Sequence, residues 1–217
     1  MRVVADGAAK TLETTPMKLH WSPRSPYVRK VMVCAHELGI VSRLELVRTV
    51  TAMLQPHEAL MRENPLSKIP TLVLDDGTIL YDSVVICEYL DHLARGTLFP
   101  AQGMERWQAL RWHALGDGLL DALILWRNER ERQVPLEALL SAFALKTQAT
   151  VAQLEREAEA LERAPFSIGH IAVGCALGYL DFRFQALAWR AQAPRLAQWL
   201  AQTALRPSFA ANEAREG

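Results

Sequence analysis

The 217-residue sequence lacks an excess of charge of either sign, because its 24 basic side chains are matched by 24 acidic ones. It also lacks a sustained basic run. Proteins that bind nucleic acid through its phosphates need clustered positive charge. The charge balance therefore predicts that nucleic acid is not a partner.

Cysteine is scarce and long apolar runs are missing. The three cysteines, Cys34, Cys87 and Cys175, lie far apart and form no Cys-x-x-Cys pair. A low, odd number of scattered cysteines is typical of a reducing compartment rather than of disulfide-rich secreted domains. No apolar stretch reaches the roughly 20 residues that a membrane-spanning helix needs. The sequence thus predicts a cytoplasmic protein with no membrane partner.

A secretion signal is also lacking at the start of the chain. Met1 to Pro16 have neither an apolar core nor a periodic pattern. We interpret residues 1–16 as a disordered extension, or as translation upstream of a start at Met17.

The remaining sequence divides into a mixed part, residues 17–95, and a helical part, residues 104–212. The mixed part has the predicted order β-α-β-α-β-β-α, with strands near 17–21, 43–47, 71–74 and 78–81 and helices near 27–38, 56–62 and 86–93. In the helical part, the patterns predict helices over 104–133, 135–164, 168–190 and 194–205, with Gly116 and Gly118 at a kink of the first. The charges of residues 153–163 indicate a solvated or partner-facing side.

Ser25 is the first candidate for chemistry. It lies between the first strand and the first helix, where backbone N–H groups and the helix dipole favour an anion. A hydroxyl at this place is able to donate a hydrogen bond to a bound thiolate and keep it ionised. A serine here also serves as an ordinary helix cap, and the residues alone leave both interpretations open.

Two further motifs follow at the ends of predicted strands. A cis peptide bond between Ile69 and Pro70 would leave the backbone N–H and C=O of Ile69 free to pair with an extended peptide ligand, although a proline at a strand edge often marks only the edge. Asp82 and Ser83 precede a helix and offer a carboxylate, a hydroxyl and free N–H groups to an amino-acid head group. Alone, this pair is an ordinary helix cap.

Together the three motifs resemble the glutathione transferase superfamily, over Met17 to about Phe209. The segments that carry the resemblance are Met17-Lys18-Leu19, Ser25-Pro26-Tyr27-Val28-Arg29-Lys30, Asn64-Pro65-Leu66-Ser67-Lys68-Ile69-Pro70, Tyr81-Asp82-Ser83 and Ile171 to Arg183. The resemblance implies an α/β thioredoxin-like N-terminal domain that binds glutathione, an all-α C-terminal domain and a homodimer. Its implied substrates are glutathione and a small-molecule electrophile.

Roles for individual residues come with the resemblance. Ser25-Pro26-Tyr27 is similar to the serine-type classes, which implies that Ser25 activates the thiol. The resemblance further implies that Ile69, held by Pro70, pairs with the cysteinyl backbone and that Asp82 and Ser83 hold the γ-glutamyl end. Lys68 and His57 fall where such enzymes often contact the glycyl carboxylate.

One position departs from the family pattern. Members usually begin the core helix with Ser or Thr and place Asp three residues later, whereas this chain has Ser167 followed by His170. Because a histidine does not return the capping bond as a carboxylate does, we expect a weaker helix start here.

Several rival candidates are weaker. Ser22 is a second hydroxyl in the loop before Ser25, whereas Tyr27 is expected to pack and Cys34 to be a buried apolar residue. Arg24 and Arg29 are candidates for raising the local electrostatic potential, although we expect them to be solvated at the surface. The histidines lack the spacing of metal ligands, so no metal is predicted.

Two classes of function remain open at this point. The first is conjugation of glutathione thiolate to a small electrophile. The second is a non-catalytic binding or regulatory protein of the same fold, such as the stringent-starvation regulators that contact RNA polymerase. The three intact motifs favour the enzyme, and the serine at the nucleophile position disfavours thiol–disulfide exchange.

Overall fold

A computed structural model describes residues 16–216. Of the extension expected over residues 1–16, all but Pro16 lies outside the described residues. The description below applies to that range.

The N-terminal domain opens with a β-α-β unit. Strand β1 (Met17–Trp21) leads through a loop into helix α1 (Pro26–Glu37), and strand β2 (Leu44–Arg48) then pairs with β1 in parallel. Ser25 caps α1 and a proline occupies its first turn, where the missing N–H costs nothing. Most of α1 between Pro26 and Ala35 is buried, including Val31, Val33 and Cys34.

A hairpin completes the sheet. Strands β3 (Thr71–Val73) and β4 (Ile79–Leu80) pair antiparallel, and the turn between them contains Gly77 at a φ of 85°. The sheet order is β2-β1-β3-β4, with β3 antiparallel to β1. Helix α2 (Glu58–Met61) precedes this hairpin and helix α3 (Ser83–Ala94) follows it. A small mixed sheet with helices on it is the fold expected for this half.

The C-terminal domain of the described chain is helical. Its helices are α4 (Gly103–Arg130), α5 (Glu137–Arg156), α6 (Ala158–Arg163), α7 (Ile168–Arg183), α8 (Trp189–Gln192), α9 (Pro194–Ala204) and α10 (Pro207–Ala210). Helix α7 is almost entirely buried, as its apolar sequence predicts, and packs along α4.

Two of the predicted helices are shorter than expected. The helix predicted over 135–164 is interrupted at Glu157, which separates α5 from α6. Its charged residues Arg156, Glu159 and Glu162 lie on an exposed side, as predicted for residues 153–163. The apolar Leu154, Ala158 and Leu161 form the opposite, buried side. The helix predicted over 168–190 ends at Arg183, where the chain bends by 97° into residues 185–192.

The glycines of α4 have a different role from the predicted kink. The helix continues through Gly116 and Gly118. A Cβ on Gly116 would lie 2.6 Å from the backbone carbon of Ala172 in α7, closer than nonbonded atoms approach. The absence of a side chain at Gly116 therefore allows α4 and α7 to pack closely at this point.

A buried lysine joins the two domains. Lys30 of α1 is fully buried, and its Nζ lies 2.7 Å and 2.5 Å from the two carboxylate oxygens of Asp117 in α4 and 3.0 Å from Nε2 of His113. Burial opposes ionisation of Asp117, but the bonds from His113 and Lys30 outweigh it and lower the pKa of the carboxyl group. A buried ion pair of this kind fixes relative position more than it stabilises the fold.

No single helix among residues 16–216 is long and apolar enough to cross a membrane. The segments Ile168–Arg183 and Gln185–Gln192 meet the length and composition criteria only as a pair, across their bend.

Candidate functional site

The sheet topology brings the three predicted motifs to one end of the N-terminal domain. Because β3 is antiparallel to β1, with Thr71 opposite His20, the start of β3 lies beside the end of β1. Because β4 is antiparallel to β3, with Leu80 opposite Leu72, the end of β4 lies there too. The loop that ends in Ser25, the Ile69–Pro70 peptide and the Asp82–Ser83 pair therefore share one edge.

Ser25 occupies the N-cap position of α1. Its backbone is extended, and its Oγ accepts a hydrogen bond from the N–H of Val28 at 3.3 Å. The side chain is partly exposed. A hydroxyl has two lone pairs and one proton, so an acceptor role toward Val28 leaves the O–H free to donate to a ligand in front of the helix. The cap interpretation and the donor interpretation are thus compatible.

Ser22 is placed differently from Ser25. It is buried, and its carbonyl oxygen accepts a hydrogen bond from the N–H of Ser25 at 3.2 Å. This bond closes the turn that leads into α1. Ser22 thus shapes the loop through its backbone carbonyl, and this role does not require its side-chain hydroxyl.

The Ile69–Pro70 peptide bond is cis, as predicted. Within residues 16–216 neither the N–H nor the C=O of Ile69 makes a hydrogen bond to the protein. The preceding loop is fixed by the buried amide of Asn64, which donates to the carbonyl oxygen of Lys68 at 3.1 Å and to the hydroxyl of Thr71 at 2.9 Å. The free backbone groups of Ile69 are therefore presented on a rigid loop.

Asp82 and Ser83 form the start of α3. Asp82 is the N-cap and its Oδ1 accepts a hydrogen bond from the N–H of Val84 at 3.0 Å. The Asp82 side chain is exposed, whereas Ser83 is buried. The peptide bond between Tyr81 and Asp82 is also cis, a feature that sequence patterns did not indicate. A carboxylate and the N-terminus of a helix thus stand side by side, as an amino-acid head group with both charges requires.

His57 and Lys68 lie on the loops next to this edge. His57 caps α2 through its Nδ1, which accepts from the N–H of Leu60 at 3.1 Å, and its own N–H donates to Ser67 Oγ at 2.7 Å. The Nε2 atom is the ring nitrogen left for a ligand. Lys68 is exposed.

Two residues beside Ser25 make interdomain contacts. The hydroxyl of Tyr27 donates a short hydrogen bond to Asp121 of α4, and burial followed by that bond raises the pKa of Tyr27. Tyr27 therefore packs, as predicted. Arg29 does not remain solvated as expected, because its guanidinium lies against Gly178 of α7, where a Cβ would approach it to 2.1 Å, and over the ring of Phe209 at 5.5 Å.

The Lys30–Asp117 pair was not predicted from the sequence. Lys30 lies among the buried residues of α1. The sign of this pair in the sequence is a lysine placed among apolar helix positions. No group of His, Cys, Asp or Glu side chains in the described range is arranged to hold a metal ion.

A small mixed sheet with a cis-proline loop, followed by a helical domain, defines the class of two-domain proteins built on a thioredoxin-like half. Comparison with known proteins gives the same class. The family model "Glutathione S-transferase, N-terminal domain" matches residues 24–93 and the corresponding C-terminal domain model matches residues 137–202. The chain belongs to the glutathione S-transferase family.

Relatives of known sequence or structure cover almost the whole chain. An uncharacterized GST-like protein of Escherichia coli K12, YibF, is 30% identical over 205 residues, which are 91% of this chain and 98% of that protein. A glutathione transferase family member from Pseudomonas fluorescens Pf-5, solved with bound glutathione, is 42% identical with a TM-score of 0.89 and covers 92% of this chain and 100% of its own. A second structure from that organism, with bound S-(propanoic acid)-glutathione, is 41% identical with a TM-score of 0.84 and the same coverage of both chains.

Proposed function

We propose that the chain is a serine-type glutathione transferase that conjugates the glutathione thiolate to a small electrophile. The observation that carries this proposal is the position of Ser25. Its oxygen is engaged by the N–H of Val28, its O–H is free to donate, and Ile69 and Asp82 lie on the same edge of the sheet. The bound glutathione of the Pseudomonas structure supports the same ligand here.

Glutathione is proposed to bind in an extended form along this edge. The free N–H and C=O of Ile69 pair with the backbone of the cysteinyl residue, as an added strand would. Asp82 holds the γ-glutamyl amine, while Ser83 and the N-terminal N–H groups of α3 hold the γ-glutamyl carboxylate. Lys68 and His57 are the proposed contacts of the glycyl carboxylate.

The chemical task of Ser25 is to favour the ionised thiol. Lowering a thiol pKa from about 8.5 by about two pH units corresponds to roughly 2.7 kcal/mol. One charge-assisted hydrogen bond from Ser25 and the dipole of α1 are together of that size. The thiolate then attacks the electrophile, and the enzyme adds proximity to ionisation.

The electrophile is proposed to lie between the sulfur and the helical domain. A related structure holds a glutathione whose sulfur carries a propanoic acid group. That ligand supports a site in this chain for a small substituent beyond the sulfur. The three buried free cysteines are consistent with a cytoplasmic location, which we include in the proposal.

We also propose that the protein is a homodimer. Met104 and Trp107 in the first turns of α4 are 78% and 62% exposed, which is costly for large apolar side chains in a monomer. Family members usually dimerise through this region, and a second copy is therefore the proposed occupant.

Calorimetry tests the proposed glutathione site. Glutathione should give saturable heat with the wild-type chain, and Ser83→Ala should weaken binding. Asp82→Asn is the sharper variant, because Asn caps a helix as well as Asp does while the charge that pairs with the amine is lost. We expect Asp82→Asn to weaken binding by about 10-fold or more.

Thermal unfolding of Asp82→Asn provides the control, since its melting temperature should stay close to that of wild type. Wild-type binding without conjugation of any electrophile in a broad panel would support the non-catalytic alternative. Absence of glutathione binding would refute both the site and the enzyme.

A further inference from the structure

The C-terminal ends of α4 and α7 extend beyond the N-terminus of α1. Along α4, Asp117 contacts Lys30 and Asp121 contacts Tyr27, so α4 runs antiparallel to α1. Helix α7 runs parallel to α4, because Gly116 lies against Ala172 and Arg127 against Tyr179. The last turns of both helices are therefore on the side of the α1 N-terminus where Ser25 lies.

Three arginines surround Glu216 in this region, and we call them the arginine cluster: Arg183 hydrogen-bonds to its carboxylate, and Arg24 and Arg127 lie close enough for their charges to act on it. Arg24 directly precedes Ser25, Arg127 lies in the last turn of α4 and Arg183 is the last residue of α7. Each belongs to a different element. Their assembly depends on the docking of the two domains.

The cluster is held in place but is not fully paired. Nη1 of Arg127 donates to the hydroxyl of Tyr179 at 3.1 Å, and the guanidinium of Arg183 lies 4.0 Å from the ring centre of Phe182. The Nε atoms of Arg127 and Arg183 are buried and have no hydrogen-bond partner among residues 16–216. Of the acidic groups nearby, Asp121 binds Tyr27, and Glu131 forms an exposed ion pair with Arg127 at 3.7 Å, a distance too long for a hydrogen bond.

A carboxylate already lies on the cluster. Glu216, in the C-terminal segment, accepts hydrogen bonds from both terminal nitrogens of Arg183, one of them at 3.2 Å. The bond from Arg183 lowers the pKa of Glu216, and the positive charges of Arg183, Arg24 and Arg127 act in the same direction. The Glu216 side chain is 63% exposed, so a soluble carboxylate is able to replace it.

We propose that the arginine cluster is the electrophile subsite for a carboxylate, and that the preferred second substrate is a small acidic electrophile. This inference rests on the proposed conjugating function and identifies the chemical class of its substrate. The guanidinium groups bind the carboxylate, which places the electrophilic carbon of the same molecule between the cluster and the thiol held at Ser25. Glu216 is the internal competitor for this position.

The reaction at this site is balanced without a further reactant. With a chloroarene that carries a carboxylate, the thiolate sulfur forms a bond to the ring carbon, the carbon–chlorine bond breaks, and chloride leaves with the electron pair. The carboxylate remains unchanged and only orients the ring.

A matched pair of probes tests the proposal. The acid is 4-chloro-3,5-dinitrobenzoate and its neutral control is 4-chloro-3,5-dinitrobenzamide, each measured with glutathione and corrected for its uncatalysed rate. We expect kcat/KM for the acid to exceed that for the amide by about 10-fold or more at low salt. The preference should decline as ionic strength rises.

Variants assign the preference to the cluster. Arg183→Met should reduce the acid-to-amide ratio by about 10-fold, whereas Arg163→Met, an exposed arginine of α6 outside the cluster, should keep it. Glu216→Gln should lower the KM for the acid, because the competing carboxylate is gone, and should leave the amide unaffected.

Equal use of the two probes by wild type, or an unaltered ratio in Arg183→Met, overturns the proposal. Should Arg183→Met fail to fold, Glu216→Gln decides, and an unchanged KM for the acid counts against the cluster. Conjugation of the amide with no preference for the acid refutes the subsite alone. If neither probe is conjugated by wild type although glutathione binds, the subsite proposal is overturned, and the broad electrophile panel decides separately whether the enzyme function also fails.

Discussion

At the scale of single residues, Ser25 combines a structural and a chemical role in one oxygen. The N–H of Val28 approaches that oxygen at 3.3 Å, which is a long bond for a helix cap. The hydroxyl proton points away from this donor, since a hydrogen bond accepted by the oxygen occupies one lone pair. The helix cap thus orients the O–H group toward the space in front of α1.

The first prediction concerns the pH dependence of conjugation in Ser25→Ala. Loss of the donated bond should raise the pKa of the bound thiol and lower the rate at neutral pH, by roughly 10- to 1000-fold for a bond of about 1.5–4 kcal/mol. The inflection of the pH–rate profile should move upward, so that activity partly returns at alkaline pH. Glutathione affinity should change little, because most contacts come from other residues.

Ser22→Ala is the control for this prediction. Ser22 supports the loop through its carbonyl oxygen, which the substitution retains, so rate and inflection should both stay near wild type. An inflection that does not move in Ser25→Ala would transfer the role to the backbone N–H groups of α1 or to Arg24.

At the scale of elements, the start of α7 shows how a histidine replaces the family's aspartate. The N–H of Ser167 donates to Nδ1 of His170 at 3.1 Å, and Nε2 of His170 lies 3.0 Å from the carbonyl oxygen of Leu161. One ring nitrogen accepts and the other donates, as in a neutral imidazole. The expectation that His170 fails to return the capping bond was therefore wrong, because Nδ1 has the lone pair that the bond needs.

This cap should make stability depend on pH. Burial lowers the pKa of His170, whereas the unfolded chain titrates near about 6.5. Below about pH 6.5 the imidazole of the unfolded chain is protonated, whereas that of the folded chain stays neutral. The free energy of unfolding therefore falls as pH decreases from about 6.5 toward the lowered pKa of the folded state. Chemical denaturation at several pH values should show this decline.

His170→Gln isolates the contribution of this residue from that of the other histidines. Gln at this position retains a capping acceptor but does not titrate. The difference in unfolding free energy between wild type and His170→Gln should therefore shrink as pH falls from 7.5 to 5.5. A constant difference over this range would show that His170 does not titrate between the two states.

At the scale of the whole molecule, α1 connects the site to the helical domain. Tyr27, Arg29 and Lys30 follow Ser25 on this helix, and all three contact α4 or α7. The position of Ser25 relative to the arginine cluster is thus determined by interdomain packing. Substitutions in α4 or α7 are expected to alter catalysis without touching glutathione.

The proposed dimer gives a prediction at the same scale. Light scattering at micromolar concentration should give twice the chain mass of 24.3 kDa. Trp107→Glu should shift the protein toward the monomer, because a charge is costly in an apolar interface. Leu205 is also a highly exposed apolar residue but lies outside the proposed interface. The Leu205→Glu variant should therefore remain dimeric. A wild-type mass of one chain would contradict the dimer.

The sequence by itself determined those features that depend on local interactions. The order of strands and helices in the N-terminal domain and the cap at Ser25 follow from residue type and spacing over a few positions. The cis bond before Pro70 was predicted from the backbone pairing that an extended peptide ligand needs. The family resemblance supplied the grouping of Ser25, Ile69 and Asp82, and the strand register places all three at one edge.

Only the tertiary structure decided the features that depend on packing between distant segments. Apolar sequence continues past Arg183, yet α7 ends there because Phe184 packs on Trp126 and Trp189 donates a hydrogen bond to Asp181 at 2.8 Å. Lys30 is buried because Asp117 comes from 87 residues away to pair with it. Arg24, Arg127 and Arg183 form one cluster for the same reason, because the docking of α4 and α7 on α1 brings them together. Residues so far apart in the chain leave no local sequence pattern that predicts their contact.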